Sequence, residues 1–296
     1  MIDRRLETFL NVCEYKNYTK AAEKLNFTQP AVTQHIQYLE NIYGAKLFVY
    51  KNKKLLLTKA GELLFQYAKN AYANEKLIRG KIQALPNKRM PLQFAATLTI
   101  GEYTIAPVLK EFINRFNRFD VTLYVDNTEE ILHLLEKGKI SFALVEGLFD
   151  KDRYYAKLLK LTDFILIVSV DHPLRKKDKV TVYDLQQETL IIREKGSGSR
   201  EVLEKGLYDI NYTLNGFNSI IEIGNVSLIK RLVRDGLGIS FIYKDAVKLD
   251  IERGRLATLT VSDFNIQREF NLIANQDSIV RQEIKPFEEF FLSKLS

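Results

Sequence analysis

The spacing of hydrophobic residues near the start of the chain predicts a first amphipathic helix. Leu6, Phe9, Leu10 and Cys13 recur at helical intervals and form one apolar face, which ends near Tyr15. A cysteine on such a face is typical of a small core residue rather than a reactive thiol. The pattern then predicts a short second helix, capped by Thr19 and ending at Leu25.

A third helix is predicted to begin at a Thr28 cap, to hold Pro30 in its first turn and to end at Gly44. Its inward apolar positions are Val32, Ile36 and Leu39. Its outward positions carry neutral hydrogen-bonding side chains: Gln29, Thr33, Gln34 and Gln37. Amides and hydroxyls match the donors and acceptors on base edges in the major groove of DNA. These helices therefore allow two interpretations, a helix-turn-helix or an ordinary helical bundle.

Two short apolar runs follow, at 47–50 and 55–57, with the basic segment 51–54 between them. This pattern predicts a two-stranded wing whose tip carries lysines. Such a tip can neutralise phosphates beside the groove. The wing favours the helix-turn-helix over the bundle, and we expect His35 to be a partly exposed residue rather than a DNA contact.

Residues 58–84 contain no proline and predict one long helix with Thr58 as its cap. An intermittent apolar stripe runs along it: Leu64, Tyr67, Ala71, Ile78 and Ile82. A helix standing between two domains buries such a stripe most readily against the same helix of a second subunit. Residues 86–91 then have the composition of a hinge.

Beyond Pro91, segments with the patterns of strands and helices alternate, which predicts an α/β domain with mainly parallel sheets. The predicted strands are 92–96, 121–125, 142–145, 164–170, 190–192, 220–223 and 238–242. One helix should begin at Ile100, and another should cover 129–137. Ligands in such folds lie beyond the carboxyl ends of strands and at the beginnings of helices.

Several strand ends carry suitable ligand-binding chemistry: Thr97-Leu98-Thr99, Thr128, Glu146-Gly147, Ser197 and Asn225-Val226. Simple helix capping is the alternative interpretation of each one taken alone. The turn around Ser197 lacks the Gly-Lys-Ser/Thr ending of a phosphate-binding loop, so a nucleotide site is not expected.

The distribution of charge separates the first ninety residues from the rest. They hold 16 lysines and arginines against 7 acidic residues, whereas the remainder holds 28 against 30. A basic module on a near-neutral body indicates a phosphate-backbone partner. The single cysteine excludes an internal disulfide, and no apolar run is long enough to span a membrane, so we expect a cytoplasmic protein.

The segment 27–40, FTQPAVTQHIQYLE, followed by Gly44, Leu47-Phe48 and the LTKAG of 57–61, resembles the signature of the LysR family of transcriptional regulators. Residues 99–103 with Pro107, 171–174, 196–200 and 236–240 are similar to landmarks of the family's effector domain. The resemblance covers essentially the whole chain. One position departs from it: the family usually has arginine where this chain has Tyr50, and Lys51 offers the nearest replacement cation.

The resemblance implies an α/β protein with a mainly helical, winged helix-turn-helix N-terminal domain at 1–58 and a linker or dimerisation helix at 59–86. It implies an effector-binding domain at 91–296 with the two-subdomain fold of type 2 periplasmic binding proteins. Subdomain I would comprise 91–161 and 267–296, and subdomain II would comprise 162–266.

The DNA-contacting residues expected from the sequence and the resemblance are Thr28, Gln29, Pro30, Ala31, Thr33, Gln34, Gln37, Tyr50, Lys51, Lys53 and Lys54. The expected effector-binding residues are Thr97, Leu98, Thr99, Thr128, Glu146, Gly147, Ser197, Asn225 and Val226. Their hydroxyls and helix beginnings favour a polar or anionic inducer, although the charge of Glu146 opposes a close anion.

The partners implied are an operator in double-stranded DNA with two-fold-related half-sites, a second copy in a homodimer or homotetramer, and RNA polymerase as a candidate. The expected setting is a prokaryotic cell. No cofactor, metal or membrane is implied.

Two other functions are weighed against this one. An enzyme is disfavoured because His133 and His172 accompany no recognisable nucleophile or ligand motif, and His35 lies in the DNA-reading helix. An architectural DNA-binding protein would not need a second domain of this length. Stabilisation by a small ligand would separate a regulator from an architectural protein.

Overall fold

The computed structural model describes residues 3–84, 89–276 and 278–295. Contacts group these residues into two units, one within Met1–Lys88 and Glu136–Lys139, the other within Arg89–Leu135 and Ile140–Ser296. The first unit has a hydrophobic cluster of its own, and the second is built around a larger one.

The first unit consists of three short helices, a hairpin and a long helix. Their bounds are α1 Arg4–Tyr15, α2 Tyr18–Leu25, α3 Gln29–Tyr43, β1 Phe48–Lys51, β2 Lys54–Leu57 and α4 Lys59–Ala84. Val32, Ile36 and Leu39 are buried with at most 3% of their surface exposed, which confirms the predicted inward face of α3. Burial raises the pKa of the Cys13 thiol to about 12, in keeping with a core role for this residue.

Polar caps set the helix boundaries of this unit. Thr28 accepts a hydrogen bond from the backbone N–H of Ala31, as predicted. The predicted Thr19 cap of α2 is wrong: the Asn17 side chain accepts the N–H groups of Thr19 and Lys20 at 2.8 and 3.1 Å. Asn17 has the extended backbone of a cap, so the helix already includes Thr19.

The long predicted helix is present as α4, and Thr58 accepts the N–H of Gly61 at 3.0 Å at its start. The residues of its predicted apolar stripe do not share one environment. Leu64 is buried in the core, whereas the side chain of Tyr67 is 60% exposed. Of the predicted hinge, residues 86–88 lie outside the described residues, and Met90 and Pro91 instead begin a strand.

The second unit alternates strands and helices, and a π-helix stands at Ile100–Thr104. The strands are β3 Met90–Thr97, β4 Phe119–Asp126, β5 Phe142–Val145, β6 Tyr154–Val168, β7 Thr189–Ile192, β8 Ser219–Glu222, β9 Ser240–Tyr243, β10 Ala257–Leu259 and β11 Ile266–Asn275. The α-helices are α5 Ala106–Arg115, α6 Thr128–Glu136, α7 Val182–Leu185, α8 Gly198–Asp209, α9 Val226–Arg234, α10 Lys244–Glu252 and α11 Ser278–Leu295. The single helix predicted from Ile100 is therefore a π-helix followed by α5.

The largest sheet has the strand order β10-β6-β11-β5-β3-β4, and β9 also pairs with β6. β3 pairs in parallel with β4 and β5, and β7 pairs in parallel with β8. The expectation of mainly parallel sheets is wrong for the large sheet, because β9, β10 and β11 all run antiparallel to the long strand β6. β6 begins at Tyr154, ten residues before its predicted start at Phe164.

The paired strands β6 and β11 form the centre of this unit. They run side by side from Ile266 opposite Phe164 to Asn275 opposite Tyr154. Leu161 and Gln267, near which the crossovers between subdomains are predicted, both lie in this stretch. The subdomain boundaries themselves stay a prediction.

In the described part of the chain, no helix is long and apolar enough to cross a membrane.

Candidate functional sites

The outward face of α3 is polar and accessible. Thr28, Gln29, Pro30, Gln34 and Gln37 are exposed. Ala31 and Thr33 are half-buried, and Gln29 donates a hydrogen bond from Nε2 to Thr33 Oγ1 at 3.1 Å. The helix thus presents amide groups to solvent while its opposite side fills the core.

The wing is a regular hairpin in which Phe48 pairs with Leu57 and Lys51 with Lys54. The two residues between the strands, Asn52 and Lys53, have positive φ angles of 51° and 60°, as a tight two-residue turn requires. The side chains of the predicted tip, Lys51, Lys53 and Lys54, are exposed, and Tyr50 is 68% exposed.

A groove of about 390 Å³ brings the wing and the start of α3 together. Its lining residues, which define what we call the basic groove, are Lys16, Asn17, Tyr18, Thr19, Gln29, Tyr50, Lys53, Lys54, Leu55 and Leu56. Four of the predicted DNA contacts therefore share one surface: Gln29, Tyr50, Lys53 and Lys54.

The segment at the start of α2, Lys16 to Thr19, also lines this groove and was not among the predicted contacts. Only the positive charge of Lys16 next to a helix cap could have indicated it. Burial, together with the nearby groups of Glu40 and Tyr50, raises the pKa of Tyr18 to about 12. Tyr18 therefore stays neutral and offers a hydroxyl group at the groove.

His35, on α3, has structural partners outside its own helix. Its Nδ1 lies 2.8 Å from Thr8 Oγ1, and its ring meets Phe27 edge-on at 5.5 Å. These contacts are consistent with the expectation that His35 is only partly exposed.

In the second unit, the predicted effector-binding residues lie at the carboxyl ends of β3 and β5 and at the starts of α6, α8 and α9. We call this set, Thr97, Leu98, Thr99, Thr128, Glu146, Gly147, Ser197, Asn225 and Val226, the candidate cleft. Thr97, Thr99, Thr128, Glu146 and Ser197 are each at most 4% exposed. Buried hydroxyl and carboxyl groups at this density are unusual unless hydrogen-bonded partners accompany them.

The start of α8 packs directly against the end of β5 and the start of α6. A Cβ atom on Gly198 would lie 2.6 Å from Thr128 Oγ1 and 2.7 Å from the carbonyl oxygen of Glu146. A Cβ atom on Gly147, whose φ is +99°, would lie 2.6 Å from Gly198 Cα. Only glycine allows this close approach.

Glu146 is the carboxyl group of the candidate cleft, and its pKa is shifted from the ordinary value. Burial raises its pKa to about 7, a hydrogen bond from Thr99 and the charge of Arg193 oppose the rise, and the charge of Asp245 adds to it. Its Oε2 is buried without a hydrogen-bond partner among the described residues. Glu146 therefore differs from an ordinary surface glutamate in both charge and environment.

Two residues near Glu146, Tyr243 and Arg193, and one near Tyr243, Arg268, were not predicted as site residues. The Tyr243 hydroxyl is fully buried and unpartnered within the described structure, and burial together with Glu146 raises its pKa well above the ordinary range. Arg268 lies near Tyr243, and its Nε is likewise unpartnered. Arg193 is 7% exposed and binds both carboxylate oxygens of Glu194 at 2.7 Å.

Asn225, Val226 and Leu98 lie in different surroundings. Asn225 is exposed, and its side-chain oxygen accepts the N–H of Leu228 at 2.8 Å as the cap of α9. Val226 is buried in a hydrophobic cluster against which Leu98 packs. Nearby, the hydroxyls of Tyr103 and Ser227 lie 2.8 Å apart.

Within the residues that the structure describes, no group of three or more histidine, cysteine, aspartate or glutamate side chains could hold a metal ion.

The fold and the two sites define a winged helix-turn-helix protein with an α/β ligand-binding domain. The model of the "Bacterial regulatory helix-turn-helix protein, lysR family" matches residues 4–62, and the model of the "LysR substrate binding domain" matches residues 87–296. The chain belongs to the LysR family of transcriptional regulators. The predicted family and fold are thereby confirmed, and members of this family are regulators rather than enzymes.

The HTH-type transcriptional regulator CysL of Bacillus subtilis is 29% identical over 271 residues, which cover 90% of this chain and 89% of that protein. The regulatory domain of CcmR from Synechocystis PCC6803, solved with 2-PG, has a TM-score of 0.60 and 23% identity, covering 70% of this chain and 97% of that one. Full-length LysG from Corynebacterium glutamicum, solved with bound effector Arg, has a TM-score of 0.61 and 18% identity, covering 94% and 93%. LysR regulators bind DNA and small-molecule effectors and are oligomeric.

Proposed function

We propose that this regulator binds two-fold-related half-sites in double-stranded DNA through α3 and the basic groove. The observation that carries the proposal is the shared surface of Gln29, Tyr50, Lys53 and Lys54. Polar side chains of α3 enter the major groove and contact base edges, while the lysines neutralise phosphates beside it. Because Tyr50 stands where the family usually has arginine, the neighbouring lysines supply the positive charge.

The candidate cleft receives a small polar or anionic effector. Two features support this part of the proposal: the buried hydroxyl groups of Thr97, Thr99 and Ser197, and the beginning of α8 beside Glu146. A helix beginning presents free N–H groups and a partial positive charge. The solved relatives bound 2-PG in one case and arginine in another, so the fold alone does not select the ligand class.

Effector binding changes transcription by favouring one arrangement of the DNA-binding heads over another. A ligand shifts such an equilibrium only as far as its affinities for the two arrangements differ. The two heads come from a dimer or tetramer joined through α4 and acting in the cytoplasm of a prokaryotic cell, and RNA polymerase is the proposed downstream partner.

Footprinting of the purified chain on the DNA upstream of its own gene tests the DNA-binding part. We expect protection of two half-sites about one helical turn, or a multiple of it, apart. A chain that shifts no duplex even at low salt would contradict it. Thermal melting with a panel of carboxylates, oxyanions, amino acids and neutral sugars tests the effector part, since a ligand at 100 times its Kd adds about 2.7 kcal/mol of stability.

A further inference from the structure

The second unit holds a group of buried polar atoms that lack hydrogen-bond partners within the described residues. They are Thr97 Oγ1, Thr104 Oγ1, Glu146 Oε2, Tyr243 OH and Arg268 Nε. Leaving a buried polar group without its hydrogen bond destabilises a protein, so several such groups together indicate a bound species that completes them.

Four of these groups belong to Thr97, Glu146, Tyr243 and Arg268, and Glu146 and Tyr243 link them. Thr97 ends β3 and Glu146 follows β5, and these strands are adjacent and parallel, so both residues stand at the same edge of the sheet. Tyr243 ends β9, and the charges of Glu146 and Arg268 both act on its hydroxyl group, so both groups lie near it. Glu146 thus connects the edge of β3 and β5 with the end of β9.

The donor and acceptor capacities of these groups restrict the chemistry of the ligand. Arg268 Nε can only donate, and the Tyr243 hydroxyl, with its pKa well above the ordinary range, keeps its proton and can donate. Thr97 can also donate. A ligand that satisfies them must therefore present acceptor atoms, as the oxygens of a carboxylate, a sulfate or a phosphate do.

One cation, Arg193, and the beginning of α8 lie beside Glu146 and agree with an anionic ligand. Arg193 lies close enough to act on the carboxyl group of Glu146, and α8 begins directly against the main chain of this residue. The acidic neighbour Asp245 has a cation of its own, because it pairs with Lys160 and also accepts from Thr162. Arg193 is shared, since it also pairs with Glu194. Of Asp245 and Glu146, it is therefore the ionised form of Glu146 that would repel the ligand.

We propose that the effector is an oxyanion that the candidate cleft binds only when Glu146 carries a proton, so that the carboxylic acid donates a hydrogen bond to it alongside Thr97 and Tyr243. This inference rests on the proposed effector site and adds both the ligand class and a proton that binds with it. The groups facing Glu146 that set its ionisation are Thr99, Arg193, Tyr243 and Asp245.

Burial already favours the required state, because it raises the pKa of Glu146 to about 7. Below that pH the acid is protonated before the ligand arrives. Above it, each binding event must take up one proton, and the affinity falls about tenfold for each further pH unit.

Calorimetric titration of the full chain with sulfate, glycolate and oxalate, between pH 6 and 8.5, tests the proposal. These anions keep their charge over that range, so a change in affinity reports on the protein. We expect binding of at least one of them at pH 6 and an affinity about 10 to 30 times lower at pH 8.5. At pH 8, titrations in two buffers of different ionisation enthalpy should report the uptake of close to one proton.

Glu146→Gln supplies the matched variant, because its amide donates a hydrogen bond at every pH. We expect its affinity for the same anion to be nearly constant from pH 6 to 8.5. Glu130→Gln removes an exposed carboxylate of α6 and should leave the pH dependence of the wild type unchanged. If Glu146→Gln does not fold, the proton uptake of the wild type decides alone.

Three results would overturn the inference: an affinity independent of pH, an affinity that rises with pH, or failure of all three oxyanions to bind at pH 6. A mobility shift of operator DNA separates this outcome from the proposed function. If operator binding responds instead to an ammonium-bearing or neutral ligand, the proposed function stands and this inference is wrong. A chain that binds the anions as expected but shifts no DNA contradicts the proposed function instead.

Discussion

At the scale of single residues, the glutamines of α3 differ in what their amide groups already do. Gln29 donates to Thr33 on its own helix, whereas Gln34 is exposed and its side chain makes no hydrogen bond to the described residues. We therefore expect Gln34→Ala to weaken operator binding by about 1–3 kcal/mol, the cost of one good base contact, and to change binding to random duplex little. Mobility shifts with both DNAs measure the two affinities.

The control for Gln34→Ala is Gln187→Ala, which removes an exposed amide from the second unit. It should leave both affinities as they are. Equal weakening of operator and random DNA by Gln34→Ala would contradict a role in base recognition and would assign this residue to the general affinity for duplex.

Glu146 should leave a signature in the stability of the protein as well as in ligand binding. Its folded-state pKa of about 7 lies above the ordinary value of 4.5, so the wild type loses stability as the pH rises through this interval. The difference in free energy of unfolding between Glu146→Gln and the wild type should therefore change by about 3 kcal/mol in favour of the variant as the pH rises from 4.5 to 8. Urea melts followed by circular dichroism measure the difference, since the chain has no tryptophan.

Glu130→Gln again controls for the loss of one carboxylate, here from an exposed position. A difference between Glu146→Gln and the wild type that stays constant over the same pH interval would show that Glu146 ionises normally. It would also remove the physical basis for proton-linked binding in the candidate cleft.

At the scale of elements, the wing contributes charge rather than sequence information. Lys53 and Lys54 are exposed at the tip and line the basic groove beside Gln29. We expect Lys53→Ala to weaken binding to operator and random DNA alike and to reduce the slope of log K against log salt by about 0.9, the value for one phosphate contact. Titrations at several salt concentrations give both quantities.

Lys248→Ala removes an exposed lysine of α10 in the second unit and should change neither quantity. Loss of operator binding with an unchanged salt slope would mean that Lys53 contacts a base or shapes the turn, and not that it neutralises a phosphate.

The sequence predicted those elements whose signals are local. Caps, turn residues and the i, i+4, i+7 spacing act within a few residues, so α1, α3, the wing and α4 lie close to their predicted positions. The cap of α2 shows the limit of such signals, because Asn17 and Thr19 are both good capping residues. The backbone conformation at Asn17 decides between them, and the sequence pattern does not specify it.

Long-range pairing explains most of what the sequence did not predict. Strand β6, with 15 residues, is more than twice as long as a typical strand, and its first half has an irregular pattern of exposed and buried residues. Tyr243 follows the apolar run of β9 and has the pattern of a core residue. Only the folded arrangement of β9, β6, β11 and β5 in one sheet brings its hydroxyl group near Glu146. The same reason applies to Lys16 in the basic groove.

At the scale of the whole molecule, an exposed apolar strip on α4 needs a partner. Leu63 is 71% exposed and Tyr67 is 60% exposed, one helical turn apart, while Leu64 and Ala68 fill the core of the first unit on another face. Exposed apolar residues on neighbouring turns of a long helix are typical of an interface with a second helix. We therefore expect α4 to join two copies of the chain.

The substitution Tyr67→Glu should separate these copies, because it places a charge where two apolar surfaces meet. Sedimentation should then show a smaller oligomer, and operator affinity should fall at least about 100-fold, since two linked heads no longer bind their half-sites together. Random DNA bound by one head at a time should be affected much less. Tyr208→Glu changes a tyrosine of α8 that is 74% exposed and should preserve both the oligomer and the affinity. A Tyr67→Glu protein that remains oligomeric and binds its operator normally would place the subunit contact elsewhere, and the symmetry of the half-sites would then have to arise from a surface other than α4.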